Sequence, residues 1–440
     1  MNSTSASHFP EKVYLSGADC FFLMLEENAK KHQIGNNVIR ICLYFNEKKE
    51  ADFLLKSIEQ SPLIHWLCNI ELVKEHFYNK PYWKYTNKGK SIPFKTQLVE
   101  LEKTIPKELL NRGIELGNNS MIECDSLNYP SGAVAVVLSW HHILMDGRGS
   151  GMLIRHLVGQ IPFNEETYAD FFPSKEKKVS VYHYVRNMYK VKSFVQRSSR
   201  SPIASIVKNC KATGKDNTFG LRTISFSEEE TKLIDLNATT NGARFGANNF
   251  LIAACAHAIY SVNMKRGNIG AVWVPIPYDG RKRGGIGPIV TNCISFLFYR
   301  FEKEHFNSVS ATIKTINEQM AEQLKIEMPR KYNLLLDMMR HIPLGLYSFL
   351  TSYSSKGAVS SFLFSSAGEG KWDMNNLMEH PFSDILIVPP FTFPPGITFS
   401  FLRNDNCLKM NIIYSEKCVD ENELEFIESL LCSRLVDYRS

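Results

Sequence analysis

The 440-residue sequence lacks the common signatures of secreted, membrane-spanning and zinc-binding proteins. Its ten cysteines never come as close as a C-x-x-C pair, and no cysteine–histidine group has zinc-ligand spacing, so we expect reduced, mostly buried thiols. Segment 1–10 shows no secretory signal, and no apolar run is both long and uninterrupted enough to cross a bilayer. These absences predict a cytoplasmic protein without a transmembrane helix.

Several catalytic motifs are also missing. The sequence has no G-x-S-x-G, no H-E-x-x-H, no G-x-x-x-x-G-K-[ST], and no G-x-G-x-x-G after a strand, which disfavours hydrolase, metalloprotease, NTPase and dinucleotide-binding functions. Charge is nearly balanced, with 51 Lys and Arg against 45 Asp and Glu and a pI of about 8.6. This pI is lower than that of a dedicated nucleic-acid-binding protein, and we predict no nucleic-acid partner.

What is present indicates a folded α/β protein. Apolar residues make up 44% and charged residues 22%, and helical and strand patterns alternate along the chain. Ser227 and Glu230 form a capping box that predicts a helix over 228–240, and alternating apolar residues predict a hairpin over 397–412, followed by a closing helix. Segment 175–215 holds 11 Lys and Arg against one acid. We therefore predict an N-terminal half over 10–174, a basic linker over 175–216 and a C-terminal half over 217–440.

One motif carries chemistry: His141-His142-x-x-x-Asp146-Gly147 follows an apolar strand and precedes a helix. A histidine at a strand end can act as a general base, because its ordinary pKa near 6.5 leaves it mostly neutral at pH 7. We assign this role to His142, since His141 lies one residue earlier on the strand and faces the other side. Asp146 is expected to pin the turn by an ion pair. Gly147 would adopt a dihedral forbidden to other residues, or let a substrate come close.

The motif is also compatible with a structural role or with a metal site. A histidine pair after a strand can be ordinary packing or a surface turn. His and Asp can also bind a metal ion, although the spacing suggests no third ligand. We therefore predict no metal and assign His142 and Asp146 as catalytic, with His141 and Gly147 in support.

The motif resembles that of the H-H-x-x-x-D-G acyltransferases, which include chloramphenicol acetyltransferase, the condensation domains of nonribosomal peptide synthesis and the wax ester synthase/diacylglycerol acyltransferases. The resemblance extends over most of the chain, including segments 15–19, 242–260, 275–292 and 365–368. Residues 118–122 stand where the wax ester synthases carry Pro-Leu-Trp, so the resemblance does not imply a wax or triacylglycerol product.

The resemblance implies two chloramphenicol acetyltransferase-like α/β halves that form a V with a tunnel between them. His142 would deprotonate an alcohol or amine acceptor, which attacks an acyl thioester of coenzyme A or an acyl carrier protein without a covalent acyl-enzyme. Arg281 is the family-matched partner of Asp146. Asn292, Ser365 and Ser366 are candidates to bind substrate by donating to the developing oxyanion. No bound cofactor is implied; the thioester is a co-substrate.

The sequence leaves three questions open. The chain is interpreted as a stand-alone acyltransferase, but an amide-forming condensation enzyme acting on carrier-bound substrates, or a non-catalytic relative, remains an alternative. The basic segment 175–215 is either a solvated linker or a site for an anionic partner: coenzyme A phosphates, an acidic carrier protein or a membrane surface, the last of which would make the protein peripheral to a membrane. The acyl chain, the acceptor and the choice between O- and N-acylation are not specified.

Overall fold

The computed structural model describes most of the chain, and the described residues are 9–31, 37–74, 80–117, 120–161, 168–174, 181–210, 218–244, 246–281, 285, 287–353, 359–366, 382–404 and 406–437. The helices within these ranges are α1 Gly17–Lys31, α2 Lys48–Gln60, α3 Pro62–Cys68, α4 Lys107–Asn111, α5 Gly147–Leu157, α6 Val181–Ser198, α7 Glu228–Thr240, α8 Asn248–Lys265, α9 Val309–Lys325, α10 Met328–Met339, α11 Leu344–Ser352 and α12 Glu421–Val436. The strands are β1 Lys12–Tyr14, β2 Val38–Phe45, β3 Ile70–Val73, β4 Tyr82–Tyr85, β5 Phe94–Leu98, β6 Ile122–Asn128, β7 Val134–His141, β8 Phe219–Ser225, β9 Val272–Asp279, β10 Ile294–Phe301, β11 Leu363–Ser366, β12 Asp384–Val388, β13 Ile397–Asn404 and β14 Cys407–Ser415.

A five-stranded sheet of order β12-β2-β7-β6-β5 forms the core of the N-terminal half. Its central strand β7 is buried along its whole length, which explains the nearly continuous apolar run in the sequence. Strand β2 is antiparallel to β7 and places Val38 opposite His141, the last residue of β7. The sheet therefore presents the His141–Gly147 motif at the end of its most protected strand.

The C-terminal half is built on a four-stranded sheet of order β11-β13-β14-β8 and on the hairpin of β9 and β10. The predicted hairpin is confirmed, with Ile397 opposite Tyr414 and Asn404 opposite Cys407. The predicted helix 228–240 is also confirmed: the Ser227 hydroxyl accepts the Glu230 N–H at 3.2 Å, and the Glu230 carboxylate accepts the Ser227 N–H at 2.8 Å. These elements follow from local sequence because each begins or ends at its own capping or turn residues.

The two halves interlock. Strand β12 lies within the predicted C-terminal half, yet it pairs antiparallel with β2 of the N-terminal sheet, Leu386 opposite Cys42. In the other direction, α1 packs against α10 and α11. The division of the chain at residues 174 and 217 remains a prediction. The structure adds that the core of each half contains elements from the other half.

The predicted basic linker 175–216 is described over residues 181–210. This part holds α6, which packs against α10 and β10 and buries Val191 completely. Farther along, Ile203 bridges to Ala271 beside β9. The described part is thus a packed element of the fold. None of the described helices combines the length and the apolar character needed to cross a bilayer.

The expectation that all cysteines are reduced is wrong. Cys210, at the end of the basic segment, forms a disulfide with Cys418, which precedes α12, and the two Cα atoms lie 4.8 Å apart. The partners are separated by 208 residues, so the spacing of cysteines along the sequence carries no sign of the pair. The other eight cysteines are free. Cysteine spacing therefore no longer supports a reducing compartment, and the cytoplasmic location stays a prediction.

The contact between α1 and α10 gives a test of packing. A Cβ at Gly17 would lie 2.4 Å from the backbone nitrogen of Asp337, so Gly17→Ala forces the two helices apart. We expect it to lower the free energy of unfolding by about 1–3 kcal/mol. Gly345→Ala, in α11 with open space around its Cα, is the matched control and should be neutral or slightly stabilising. Urea unfolding measures both, and equal midpoints would contradict the close packing.

Candidate active site

The turn between β7 and α5 is held by its own hydrogen bonds. The Asp146 carboxylate caps α5 by accepting the Gly149 N–H at 2.8 Å, and the Trp140 indole donates to the Met145 carbonyl at 3.1 Å. All residues from 141 to 146 are buried. These hydrogen bonds fix the main chain of a buried turn, which restricts the positions of the side chains it carries.

His142 is held through its main chain and through its ring. Its backbone N–H donates to the Asn37 carbonyl at 2.7 Å, and its imidazole ring stacks on Phe22 of α1 with ring centroids 3.7 Å apart. Burial lowers the pKa of His142 to about 4, although its own carbonyl and Asp146 act in the opposite direction. The residue keeps 8% of its surface exposed. At pH 7 it is therefore a neutral imidazole that can accept a proton.

His141 contacts a different partner on the same helix. Its Nδ1 accepts the Ile143 N–H at 3.3 Å, so Nε2 carries the ring proton and faces Glu26 Oε2 at 3.5 Å. Burial acts to raise the pKa of Glu26, but His141 and Lys30 outweigh it, and the net shift is downward. Glu26 lies one helical turn beyond Phe22, so α1 orients both histidines of the pair.

Asp146 joins the turn to the C-terminal half. Its Oδ2 accepts hydrogen bonds from Arg281 Nη1 and from the Cys293 N–H, both at 2.8 Å. The Arg281 guanidinium also donates to the carbonyls of Pro288, at 3.0 and 3.1 Å, and Thr291, at 3.3 Å. Burial works to lower the pKa of Arg281, but the charge of Asp146 outweighs it. Both oxygens of Asp146 are occupied by protein groups, so this residue positions the turn.

Asn292 is a second connection between the turn and the C-terminal half, and its contacts differ from the expected ones. Its Nδ2 donates to the His142 carbonyl and to Asp19 Oδ1, both at 2.8 Å. Asp19 also accepts the Asn292 N–H at 2.7 Å, the Thr291 hydroxyl at 2.9 Å and the Ser16 N–H at 2.7 Å. Both hydrogens of the Asn292 amide are thus engaged within the protein. The expectation that this amide donates to an oxyanion does not fit the arrangement; Asn292 instead holds the carbonyl of His142.

The two serines on β11 face opposite sides of their sheet. Ser365 lies opposite Ser400 and Ser366 opposite Phe401 in the parallel ladder with β13. The Ser366 hydroxyl donates to Asn248 Oδ1 at 2.9 Å, at the start of α8. Within the described ranges no hydrogen bond joins Ser365 to His142. A substrate contact by either serine stays a prediction, and the neighbouring residues 367 and 368 lie outside the described residues.

The glycine that the turn requires is Gly149, not Gly147. Gly147 has an ordinary negative φ, and a Cβ there would meet nothing within 4 Å, so the expected forbidden dihedral is wrong. The open space leaves close approach of a substrate as a prediction. At Gly149, in contrast, a Cβ would lie 2.7 Å from the Ile289 carbonyl oxygen and 3.3 Å from Arg281 Nη2. Gly149 lets the loop of the C-terminal half contact the start of α5.

Three residues of α1 support the site: Phe22 and Glu26 contact the two histidines of the motif, and Asp19 binds Asn292. They were not among the predicted site residues, although segment 15–19 was part of the family resemblance. Their spacing of three and four residues places them on one face of a helix, which is a signal visible in the sequence. Within the described part of the chain, no three His, Cys, Asp or Glu side chains come together as a metal site, so His142 and Asp146 gain no third ligand there.

No family model and no curated protein sequence matches the chain. Solved structures do. A trichothecene 15-O-acetyltransferase from Fusarium sporotrichioides matches with a TM-score of 0.67 at 13% identity, over 100% of this chain and 98% of that one. The first condensation domain of the calcium-dependent antibiotic synthetase matches with a TM-score of 0.63 at 13% identity, over 100% and 98%. A wax ester synthase/diacylglycerol acyltransferase from Marinobacter aquaeolei VT8 matches with a TM-score of 0.57 at 12% identity, over 96% and 98%.

These neighbours share one architecture. The chain has the two-lobed, mixed α/β fold of these acyltransferases and this condensation domain, and the fold class predicted from the sequence is confirmed. At such low identities the likeness concerns the fold.

The Asp19–Asn292 connection can be tested without a substrate. Asp19→Asn replaces a carboxylate that accepts four hydrogen bonds by an amide that must turn two hydrogens toward donors, so we expect a loss of about 1–3 kcal/mol in the free energy of unfolding. Asp235→Asn is the control, because Asp235 pairs with Arg403 near the surface and should cost less than about 1 kcal/mol. Urea unfolding compares them, and equal losses would contradict a tightly bound Asp19.

Proposed function

We propose that this protein is an acyltransferase that moves an acyl group from a thioester of coenzyme A or a carrier protein to an alcohol or amine, with His142 as the general base. The observation that carries the proposal is the neutral, buried imidazole of His142, oriented by Phe22, Asn37 and Asn292 where the two halves meet. The names of the acetyltransferase and the wax ester synthase among its structural neighbours support the same reaction type.

The reaction needs a proton acceptor that is held in a fixed position relative to the substrate. Nδ1 of His142 is fully buried, which leaves Nε2 as the ring nitrogen for a substrate. Nε2 takes the proton of the acceptor hydroxyl or amine while that atom attacks the thioester carbonyl. The tetrahedral intermediate then collapses, the carbon–sulfur bond breaks, and the imidazolium returns the proton to the leaving thiolate. No covalent acyl-enzyme is needed.

Asp146 and Arg281 act as positioning residues in this scheme. Their side chains are nearly inaccessible and face each other, so neither reaches a substrate. Together with Asn292 they fix the loop of the C-terminal half against the turn that carries His142. A shift of about 1 Å in a catalytic group can lower the rate of a reaction by two orders of magnitude, so the effect of these residues on turnover is expected to be large.

A carrier-dependent condensation reaction is the second candidate. It is favoured by the condensation domain, which resembles the chain nearly as well as the acetyltransferase does. The two reactions share the base and differ in donor and acceptor. The cytoplasmic location and the absence of a resident cofactor belong to the same proposal.

The base is tested by His142→Ala in an assay that follows thiol release from a panel of acyl-CoA donors with alcohol and amine acceptors. We expect kcat/KM to fall roughly 10²- to 10⁴-fold, because proton transfer in the transition state is lost. His65→Ala, which removes an exposed histidine on α3, is the matched control and should keep full activity. Full turnover in His142→Ala would contradict the mechanism. Turnover only when the acceptor is a carrier-bound amine would select the condensation reaction.

The pH dependence tests the environment of His142. The active form is the neutral imidazole, and a pKa of about 4 keeps it neutral well below pH 6. We therefore expect the logarithm of kcat/KM to stay level from pH 7 to about 5 and to fall only as pH approaches 4. Circular dichroism at each pH verifies that the protein remains folded. A half-loss of activity near pH 6.5, the ordinary value for histidine, would mean that His142 is not desolvated.

A further inference from the structure

Helix α11 presents an apolar face to solvent. Leu346, Phe349, Leu350 and Tyr353 follow one another at helical spacing, and each has between 43% and 65% of its surface exposed. The opposite side of the helix buries Tyr347, and no charged residue occurs from 344 to 353. Single exposed apolar residues are ordinary, but a continuous helical face of four large ones marks an interaction site.

Helix α6 carries several exposed cations. Lys190, Lys192 and Arg197, with Arg200 just beyond the helix, are exposed, and none of them forms an ion pair with a described carboxylate. No acidic residue occurs from 181 to 200. Tyr189, beside Lys190, has 75% of its surface exposed. Exposed cations beside an exposed aromatic ring are suited to an anionic surface that also has an apolar interior.

The two helices pack around one apolar cluster. Helix α6 packs against α10, and α11 follows α10 after the turn 340–343. Val191 of α6, Tyr332 of α10 and Tyr347 of α11 meet in one apolar cluster over β9 and β10. The outer sides of α6, α10 and α11 therefore face away from a common core. We call them the outer helical surface.

We propose that the outer helical surface binds an anionic phospholipid membrane, with α11 lying in the plane of the interface. The apolar face of α11 would enter the boundary between head groups and acyl chains, while the cations of α6 meet the anionic head groups. A soluble anion would leave the α11 face exposed, and an apolar protein partner would leave the cations unpaired. A membrane satisfies both. This binding does not depend on the acyl-transfer reaction.

Flotation with vesicles tests the proposal, using the full chain and vesicles of phosphatidylcholine alone or mixed with phosphatidylglycerol. We expect the protein to float with the mixed vesicles, to bind the neutral ones much more weakly, and to dissociate as salt is raised. Binding to neither kind of vesicle would overturn the proposal. Equal binding to both would also overturn it, because the cations of α6 would then play no part.

Paired variants separate the two contributions. Phe349→Ser with Leu350→Ser should weaken vesicle binding at least tenfold, and Lys190→Gln with Arg197→Gln should weaken it about 25-fold at low salt, at about fivefold for each cation. The matched control is Leu233→Ser with Leu236→Ser on α7, whose exposed fractions of 42% and 55% are similar, and which should bind like the unchanged protein. Thermal unfolding verifies that all variants fold.

Two further outcomes decide against a membrane. If Phe349→Ser with Leu350→Ser converts a dimer to a monomer in sedimentation without changing vesicle binding, the α11 face contacts a second copy and the proposal is wrong. If the control pair on α7 loses binding to the same degree, the effect is not specific to the outer helical surface. Turnover of water-soluble substrates by each variant is measured in parallel, so a failure of membrane binding is distinguished from a failure of the proposed activity.

Discussion

The structure around His142 depends on two buried carboxylates, Asp19 and Asp146, that bind the same loop of the C-terminal half. Asp146 accepts hydrogen bonds from Arg281 and from the Cys293 N–H, and Asp19 accepts hydrogen bonds from both the main chain and the side chain of Asn292. An isolated carboxylate is costly to bury, and the opposite half of the chain supplies donors to both, although burial still outweighs these hydrogen bonds at Asp19 and raises its pKa. The site therefore forms only when both halves are folded and in contact.

This arrangement also sets the charge near the base. The Arg281 guanidinium is matched by Asp146, so the charge of this cation near His142 is compensated. Burial favours the neutral imidazole in the resting protein, whereas the carboxylate of Asp146 and the backbone carbonyl of His142 favour the imidazolium. Under the proposed mechanism, His142 therefore starts as the neutral imidazole, which can accept a proton. Asp146 then stabilises the imidazolium that forms during the reaction.

The limits of prediction from sequence follow from the range of each contact. The turn that carries His142 was predictable, because its strand, cap and helix are encoded within a few residues. Arg281 lies 135 residues from Asp146 and was reached only through the family resemblance. Gly149 was missed because its neighbour Ile289 belongs to the other half. The disulfide of Cys210 was missed for the same reason: residues far apart along the chain become neighbours only through tertiary packing.

Helix α1 connects the site with the outer helical surface. One of its faces carries Asp19, Phe22 and Glu26 toward the histidines and the loop, and another packs Phe21 and Met24 into the cluster beneath α10 and α11. A protein docked through α11 as proposed would hold His142 one helix layer away from the lipid. The two proposals stand independently, but α1 gives them a common structural basis.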